Sequence, residues 1–335
     1  MTQFRRLSVS LTLIASAALL AGCQIGPSVS GSFDRSLDVS GPIRLELSNV
    51  SGDVSITGSI DGKIHVHGDV QVSGFGFGSP SGRLNEILSS PPVELKGDTL
   101  RVGKSLSHLR SVSISYTVEV PKQTNVDASS VSGSETIRNV AGPVRAGSVS
   151  GSLRIQDVSG EVRLSSTSGN VEVNSCGDDV HATSVSGTVI VSGAKGDVFA
   201  HSVSGDVRVS APGGRVDAAS SSGSIEIRGA NGDVQGRSGS GHLNVQGNPS
   251  GNSFWELHTV SGGVQIGVPA NANFHFSAGA VSGEIRAQVP IMIEEQGKHS
   301  LRARMGTGGG RVEIHTVSGD IDLQAAQQGS ASTTS

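Results

Sequence analysis

Apolar and polar residues alternate along most of the chain, and the alternation restarts after regularly spaced Ser-Gly steps. Seven of these steps are separated by six consecutive intervals of 18 residues. Their glycines are Gly133, Gly151, Gly169, Gly187, Gly205, Gly223 and Gly241. A second glycine series falls close to halfway, so the unit has two nine-residue halves. Period-two alternation is typical of strands and glycine of tight turns, which predicts two short strands per unit.

Equivalent positions in successive units form columns of one residue type. Two columns lie two and four residues after each Ser-Gly glycine, and a third lies in the second half of the unit. The columns are Leu153, Val171, Val189, Val207, Ile225 and Leu243; Ile155, Val173, Val191, Val209, Ile227 and Val245; and Val144, Val162, Val180, Val198, Val216 and Val234. In-register parallel strands would turn these columns into core ladders. We predict an all-β fold, a single-stranded parallel β-solenoid (β-helix) with coils of about 18 residues. Ten coils from Gly133 to Gly319 would give a rod of roughly 48 Å.

Several positions refine this prediction. Ser148 heads an inward serine column that we expect to satisfy backbone groups at a turn, where the glycines would supply positive φ. Trp255 and Phe276 occupy the valine column and are expected in the core. Glu135 occupies an inward position of the first strict coil, so we expect a bulge or a cap to redirect its side chain.

The N-terminus has the features of a targeting signal. Two arginines precede an apolar run over 7–20, which is too short to span a bilayer stably. The run ends in Leu20-Ala21-Gly22-Cys23, which resembles the lipobox of a bacterial lipoprotein. The resemblance implies a signal peptide over 1–22 and lipid attachment at Cys23. We then expect a tether over 23–40, N-terminal coils with an irregular insertion or cap over 41–125, the regular solenoid over 126–323 and a disordered tail over 324–335.

Composition narrows the function classes. The 335 residues carry a net charge of −4 and include 47 glycines, so the basic stripe of a nucleic-acid-binding protein is not expected. Aromatic residues make up 3% of the chain, which fits a thin solenoid core better than an ordinary globular one. If Cys23 carries lipid, Cys176 has no partner for an intramolecular disulfide.

Three groups of side chains are candidates for a catalytic or metal site. Glu161, Asp179 and Asp197 recur on successive coils, at spacings that would suit a carboxylate pair or a weak Ca²⁺ site. Their exposed turn positions favour neither. His65 and His67 share one strand face, but two ligands are too few for zinc. Cys176 is interpreted as a small buried residue. We therefore expect no catalytic residue, cofactor or metal site.

The segment Ile114-Ser115-Tyr116-Thr117-Val118-Glu119-Val120-Pro121, followed by Val131-Ser132-Gly133 and its repeats, resembles the DUF4097 β-strand-repeat family of candidate adhesins. Val268-Pro269 and the segment 310–321 fit its later repeats. The resemblance covers residues 40–323 and implies an envelope location and binding rather than catalysis. It brings no catalytic residues to transfer.

The functional prediction is a non-enzymatic cell-envelope lipoprotein, a rigid structural or adhesin-like binding module, lipid-anchored in the outer membrane. Its expected partners are the membrane, through the lipid, and a glycan or envelope protein; self-association is expected at the solenoid ends, and no nucleic acid. Two alternatives stay open. One is a periplasmic accessory protein in envelope homeostasis or stress signalling, and the more distant one is a polysaccharide-acting β-helix enzyme.

Overall fold

The computed structural model describes residues 28–39, 41–74, 79–103 and 111–326. In these ranges the chain forms two long sheets, a first sheet of 14 strands and a second of 15. The elements are β1 (Val29–Asp38), β2 (Arg44–Ser51), β3 (Val54–Ser59), β4 (Lys63–Val72), α1 (Pro80–Ser89), β5 (Val93–Lys96), β6 (Thr99–Val102), β7 (Val112–Pro121), β8 (Asn125–Ser132), β9 (Glu135–Arg138), β10 (Val144–Ser148), β11 (Leu153–Val158), β12 (Val162–Ser166), β13 (Val171–Cys176), β14 (Val180–Ser184), β15 (Val189–Ala194), β16 (Val198–Ser202), β17 (Val207–Ser210), β18 (Val216–Ser220), β19 (Ile225–Ala230), β20 (Val234–Ser238), β21 (Leu243–Gly247), β22 (Phe254–Ser261), β23 (Val264–Val268), β24 (Phe274–Ser282), β25 (Ile285–Ala287), β26 (Met292–Gln296), β27 (Ser300–Met305), β28 (Gly310–Ser318) and β29 (Ile321–Ala325). The predicted signal peptide, Cys23 and most of the predicted tail lie outside these ranges.

The middle of the chain is the predicted β-solenoid. From β10 to β21, even-numbered strands join the second sheet and odd-numbered strands join the first. Neighbouring strands are parallel and in register at the 18-residue spacing, so Leu153 pairs with Val171 and Val162 with Val180. The predicted apolar columns are buried between the sheets. The all-β solenoid prediction is therefore confirmed.

The turns are held by serine and by the close approach of glycines. Ser184 accepts a hydrogen bond from the Gly187 amide at 2.9 Å and donates one to the Gly169 carbonyl at 3.0 Å, which links successive coils. The positive φ predicted for the glycines is confirmed at Gly133, where φ is 122°, but it is wrong for those from Gly151 to Gly241, which do not have positive φ. They are required because a Cβ at Gly187 would lie 2.0 Å from the Gly169 carbonyl oxygen.

Positive φ occurs instead at another position of each coil. It recurs at the same 18-residue spacing, just after the first-sheet strand or near its end. The residues are Asn139, Asp157, Ser175, Gly193, Ala211 and Gly229. Asparagine, aspartate and glycine tolerate this conformation best, which fits four of the six residues of the column.

Glu135 is not redirected, and the sequence-based expectation is wrong there. Its side chain is 0% exposed and lies in the core column between Val54 and Leu153. Both carboxylate oxygens are buried without a hydrogen-bond partner. Burial without a compensating partner penalises the ionised form and raises the pKa of Glu135 to about 8.

The N-terminal end is capped by strands that run against the coils. Strand β6 pairs with β2, and β7 pairs with β3, so the pair β6 and β7 forms the outermost parallel coil. Antiparallel β4 and β1 then extend the first sheet, and β5 extends the second. The ten-residue helix α1 buries Leu84 and Ile87. Strand β1 also corrects the predicted tether, since it places 29–38 in the sheet.

The C-terminal coils do not stack in chain order. Strands β28 and β29 insert between the coil of β22 and β23 and the coil of β24 and β25. The segment between β25 and β28 forms an antiparallel hairpin, β26 and β27, and β27 pairs with the edge of β24. The predicted regular solenoid over 126–323 is thus interrupted by this hairpin, and β29 extends two residues into the predicted tail.

The large side chains of the late coils are internal, as predicted. Trp255 and Phe276 are buried in the column that contains Val234. The Trp255 indole donates a hydrogen bond to the Gly232 carbonyl at 2.9 Å. Cys176 is also buried, and burial raises the pKa of its thiol. A thiol in that state is a poor nucleophile, which supports its interpretation as a core residue.

Candidate binding surface

The stacked acids have structural hydrogen bonds. The Asp179 carboxylate accepts from the Asp197 amide, and the Asp197 carboxylate accepts from the Arg215 amide, both at 2.8 Å. Each side chain therefore holds the turn of the next coil. Glu161 forms an ion pair with Arg163. The structure places these three acids on one edge of the rod, as predicted, and the contacts of Asp179 and Asp197 bind coil to coil.

The histidine pair is held by neighbouring side chains of the N-terminal cap. His67 contacts Asp34 at 2.8 Å and Asp69 at 3.3 Å, and the hydrogen bond to Asp34 raises the pKa of its imidazole. His65 contacts the Ser36 hydroxyl at 2.9 Å. Among the described residues, no three His, Cys, Asp or Glu side chains are grouped closely enough to hold a metal ion. In that same part of the chain, no helix is long and apolar enough to cross a membrane.

The most distinctive surface was missed by the sequence analysis. The residue before each Ser-Gly step points outward from one edge of the second sheet, and in most coils it is valine. These valines are between 47% and 72% exposed, and we call them the valine ladder. Its members are Val50, Val131, Val149, Val185, Val203, Val260, Val317 and Val281, interrupted by Thr167, Ser221 and Gly239. The sequence does contain a signal for this orientation. Val149 directly follows the inward Ser148, so the alternation of a strand predicts that Val149 faces outward.

A second outward column runs beside the valine ladder, two residues earlier on each strand. This companion column consists of Ser48, Ser129, Gly147, Ser165, Thr183, His201, Ala219, Arg237, His258, His315 and Gly279. Its residues are small in the N-terminal half of the rod, whereas the C-terminal half contains the larger Arg237, His258 and His315 between the small Ala219 and Gly279. The His258 and His315 rings stack with centroids 5.2 Å apart.

The two columns line two depressions, one at either end of the valine ladder, which we together call the groove. Its N-terminal part has a volume of about 630 Å³ and is lined by Val50, Val131 and Val149 above serine and glycine. Its C-terminal part has a volume of about 810 Å³ and is lined by Val260, Val281 and Val317 with Arg237 and three histidines. The groove is therefore apolar along one side and polar along the other. An exposed apolar strip with a polar margin is typical of interaction sites.

The first sheet presents a different surface. Its outward residues form ion pairs between neighbouring coils. Arg154 contacts Glu172 at 3.0 Å, and Arg208 contacts Glu226 at 3.8 Å. Each such surface pair contributes only a few tenths of a kcal/mol. Apolar exposure is thus concentrated on the second sheet, where the valine ladder lies.

The Toastrack DUF4097 family matches residues 43–250 and 214–324, which together span most of the chain. The chain belongs to the DUF4097 family. The match includes both the regular coils and the rearranged C-terminal end of this Toastrack protein. It confirms the family suggested by the repeat motifs. No curated protein matches the chain.

Two solved structures align with this DUF4097 chain over most of its length. A candidate cell adhesion protein from Clostridium sporogenes is 9% identical and has a TM-score of 0.22, with 89% of this chain and 100% of that chain covered. A candidate adhesin from Bacteroides fragilis is 14% identical and has a TM-score of 0.29, with 88% and 97% covered. These scores are too low to transfer a function or a binding residue.

Proposed function

We propose that this Toastrack protein is a non-enzymatic binding module of the bacterial cell envelope, held at the membrane by lipid on Cys23. The observation that carries the proposal is the groove beside the valine ladder. A rod with many equivalent shallow contacts binds an extended surface through their sum, because each contact raises the effective concentration of the next. The hydrogen bonds of Asp179 and Asp197 to backbone amides support a structural role for the acids, which favours binding over catalysis.

The first prediction concerns location. Changing Cys23 to Ser should move the protein from the membrane fraction to the soluble fraction, because the thiol that would carry the lipid is removed. A site-specific protease sequence inserted at the exposed turn around Ile60 and Gly62 then reports the side of the membrane. Cleavage on intact cells, with a periplasmic protein carrying the same sequence left uncut, would place the rod outside. Membrane retention of the serine variant would contradict lipid anchoring.

The second prediction concerns the groove. The double variant Val149→Ser/Val260→Ser should bind isolated envelope fractions at least tenfold more weakly than the unchanged protein, because it removes apolar surface from both ends of the ladder. The fold should tolerate the changes, since Ser221 already occupies an equivalent position. Ile190→Ser on the outward face of the first sheet is the matched control. Equal binding of both variants would show that the groove is not the binding surface.

A further inference from the structure

The valine ladder is nearly unchanged when it is read backwards. It crosses eleven strands of the second sheet, from β2 to β24, and its middle position is Val203, directly after β16. Three valines stand at either end, Val50, Val131 and Val149 at one and Val260, Val317 and Val281 at the other. A surface that is symmetric about its own midpoint can meet a copy of itself under a two-fold axis.

We propose that the groove pairs with the groove of a second copy, with the two rods antiparallel and the two-fold axis at Val203. This inference rests on the proposed binding function and names its partner. A two-fold axis along the strand direction reverses the rod but keeps each column facing the same column. Val149 then lies opposite Val260 of the second copy, and Val131 lies opposite Val317.

The spacing of the ladder favours this partner over others. The methyl groups recur with the distance between hydrogen-bonded strands, about 4.8 Å. An apolar surface matches such a ladder over its full length only if it has the same repeat. A second copy of this chain has the same inter-strand repeat, because it carries the same valine ladder. A glycan or a globular protein would contact the ladder at only a few of its valines.

The companion column is complementary in size under the same axis. The larger residues of the C-terminal half fall opposite the smallest residues of the N-terminal half. Arg237 faces Ser165, His258 faces Gly147 and His315 faces Ser129. Each large side chain of one rod therefore points into a depression of the other. The C-terminal depression of one copy, which has the larger volume, lies over the N-terminal depression of its partner.

A third outward column lies two residues before the companion column on each strand, and its charges also agree with antiparallel pairing. Arg145 of one copy falls opposite Glu256 of the other, and His181 falls opposite Asp217. One like-charged pair, Asp127 opposite Glu313, offsets part of the attraction between these opposite charges. Opposite charges at the margin of an interface favour the correct register and speed association more than they add affinity.

The available area indicates a weak pair rather than a permanent dimer. Eleven strands give a strip roughly 50 Å long, and two outward columns give it a width of about 10 Å. Contact over that strip would bury about 1,000 Å² in total, which is the lower bound for a specific interface. Association of this size would depend on the high local concentration of a protein confined to a membrane.

Cysteine cross-linking of the full-length protein in its membrane tests the pairing. Val203→Cys should form a disulfide-linked dimer under mild oxidation, because the two-fold axis brings the two residues together. Ile60→Cys, which is 84% exposed on a distant turn, is the control and should give at least tenfold less dimer. Cys176 is buried and should not contribute.

Two differently tagged copies then show whether the two rods are antiparallel or parallel. Val149→Cys co-expressed with Val260→Cys should give mixed-tag dimers, whereas Val149→Cys alone should give few. Dimers of Val149→Cys alone would instead show parallel rods and overturn the antiparallel arrangement. Val203→Cys dimers no more abundant than those of Ile60→Cys would overturn self-pairing itself.

Envelope fractions from cells that lack this chain separate the two proposals. If the groove binds only a second copy, the purified protein should bind these fractions at least tenfold more weakly than fractions that contain it. Unchanged, groove-dependent binding to the fractions without the chain would keep the binding function and overturn the self-pairing. Cross-linked dimers without any groove-dependent envelope binding would keep the pairing and overturn the wider function.

Discussion

Changing Gly187 to Ala should lower the free energy of unfolding by more than about 4 kcal/mol, an unusually large effect for one methyl group. The added Cβ would lie 2.0 Å from the Gly169 carbonyl oxygen, so one of the two coils has to move. Movement would stretch the hydrogen bond from the Gly187 amide to Ser184 and the one from Ser202 to the Gly187 carbonyl, both 2.9 Å. Since each coil contacts only its neighbours, the disruption weakens the stack on both sides.

The midpoint of urea denaturation measures this effect, with Gly147→Ala as the matched control. The Cβ added at Gly147 would come no closer than 3.5 Å to another atom, that of Ser165. Alanine there should be neutral or stabilise by about 0.5–1 kcal/mol, because it restricts the unfolded chain more than glycine does. Similar losses of unfolding free energy in both variants would mean that these glycines matter for backbone flexibility and not for the close contact between coils.

The sequence predicts the middle of this fold well because its structure is local. A period of two sets which side chains face inward, and the 18-residue spacing sets which residues lie above one another. Leu153, Val171 and Val162 therefore lie where the pattern places them. The serine column could be predicted in the same way, because an inward hydroxyl next to a turn requires a backbone partner.

The ends could not be predicted, because they depend on contacts between distant segments. The coil of β28 and β29 carries the same motif as its neighbours, and nothing in the motif reveals that it inserts before the coil of β24 and β25. The 36-residue interval between Gly283 and Gly319 was the one hint of an inserted hairpin. The valine ladder was missed for another reason: valine suggests a core residue, and alternation alone indicates that Val149 faces outward.

If Cys23 carries the proposed lipid, antiparallel pairing restricts how the two rods can lie at a membrane. It places the N-terminal ends of the two rods at opposite ends of the pair, roughly 50 Å apart. Two anchors that far apart require either rods lying along one membrane or rods bridging two facing membranes. Both arrangements fit an envelope module, and only the second joins two surfaces. Cross-linking within one vesicle population and between two labelled populations would distinguish them.

Raising the pH from 5 to 9 should destabilise the protein through Glu135. Its pKa is about 8 in the folded chain, well above the ordinary value for glutamate, because the carboxyl group is buried without a partner. The folded state therefore binds this proton more tightly than the unfolded state. The resulting stability is fully present below the unfolded pKa and is lost as the pH rises through about 8. The loss over this window is on the order of 5 kcal/mol, from about 1.4 kcal/mol per pKa unit.

Glu135→Leu should remove this pH dependence and raise stability at pH 9 by a comparable amount. Leucine fits the column, whose next residue is Leu153, and it leaves no unpartnered oxygen in the core. Glu135→Gln separates charge from polarity: it should abolish the pH dependence but keep part of the cost of a buried polar group. Among the described residues Glu135 is the only charged side chain that is buried. A pH profile of the glutamine variant that matches the unchanged protein would therefore assign the effect to exposed groups and contradict the buried-carboxyl explanation.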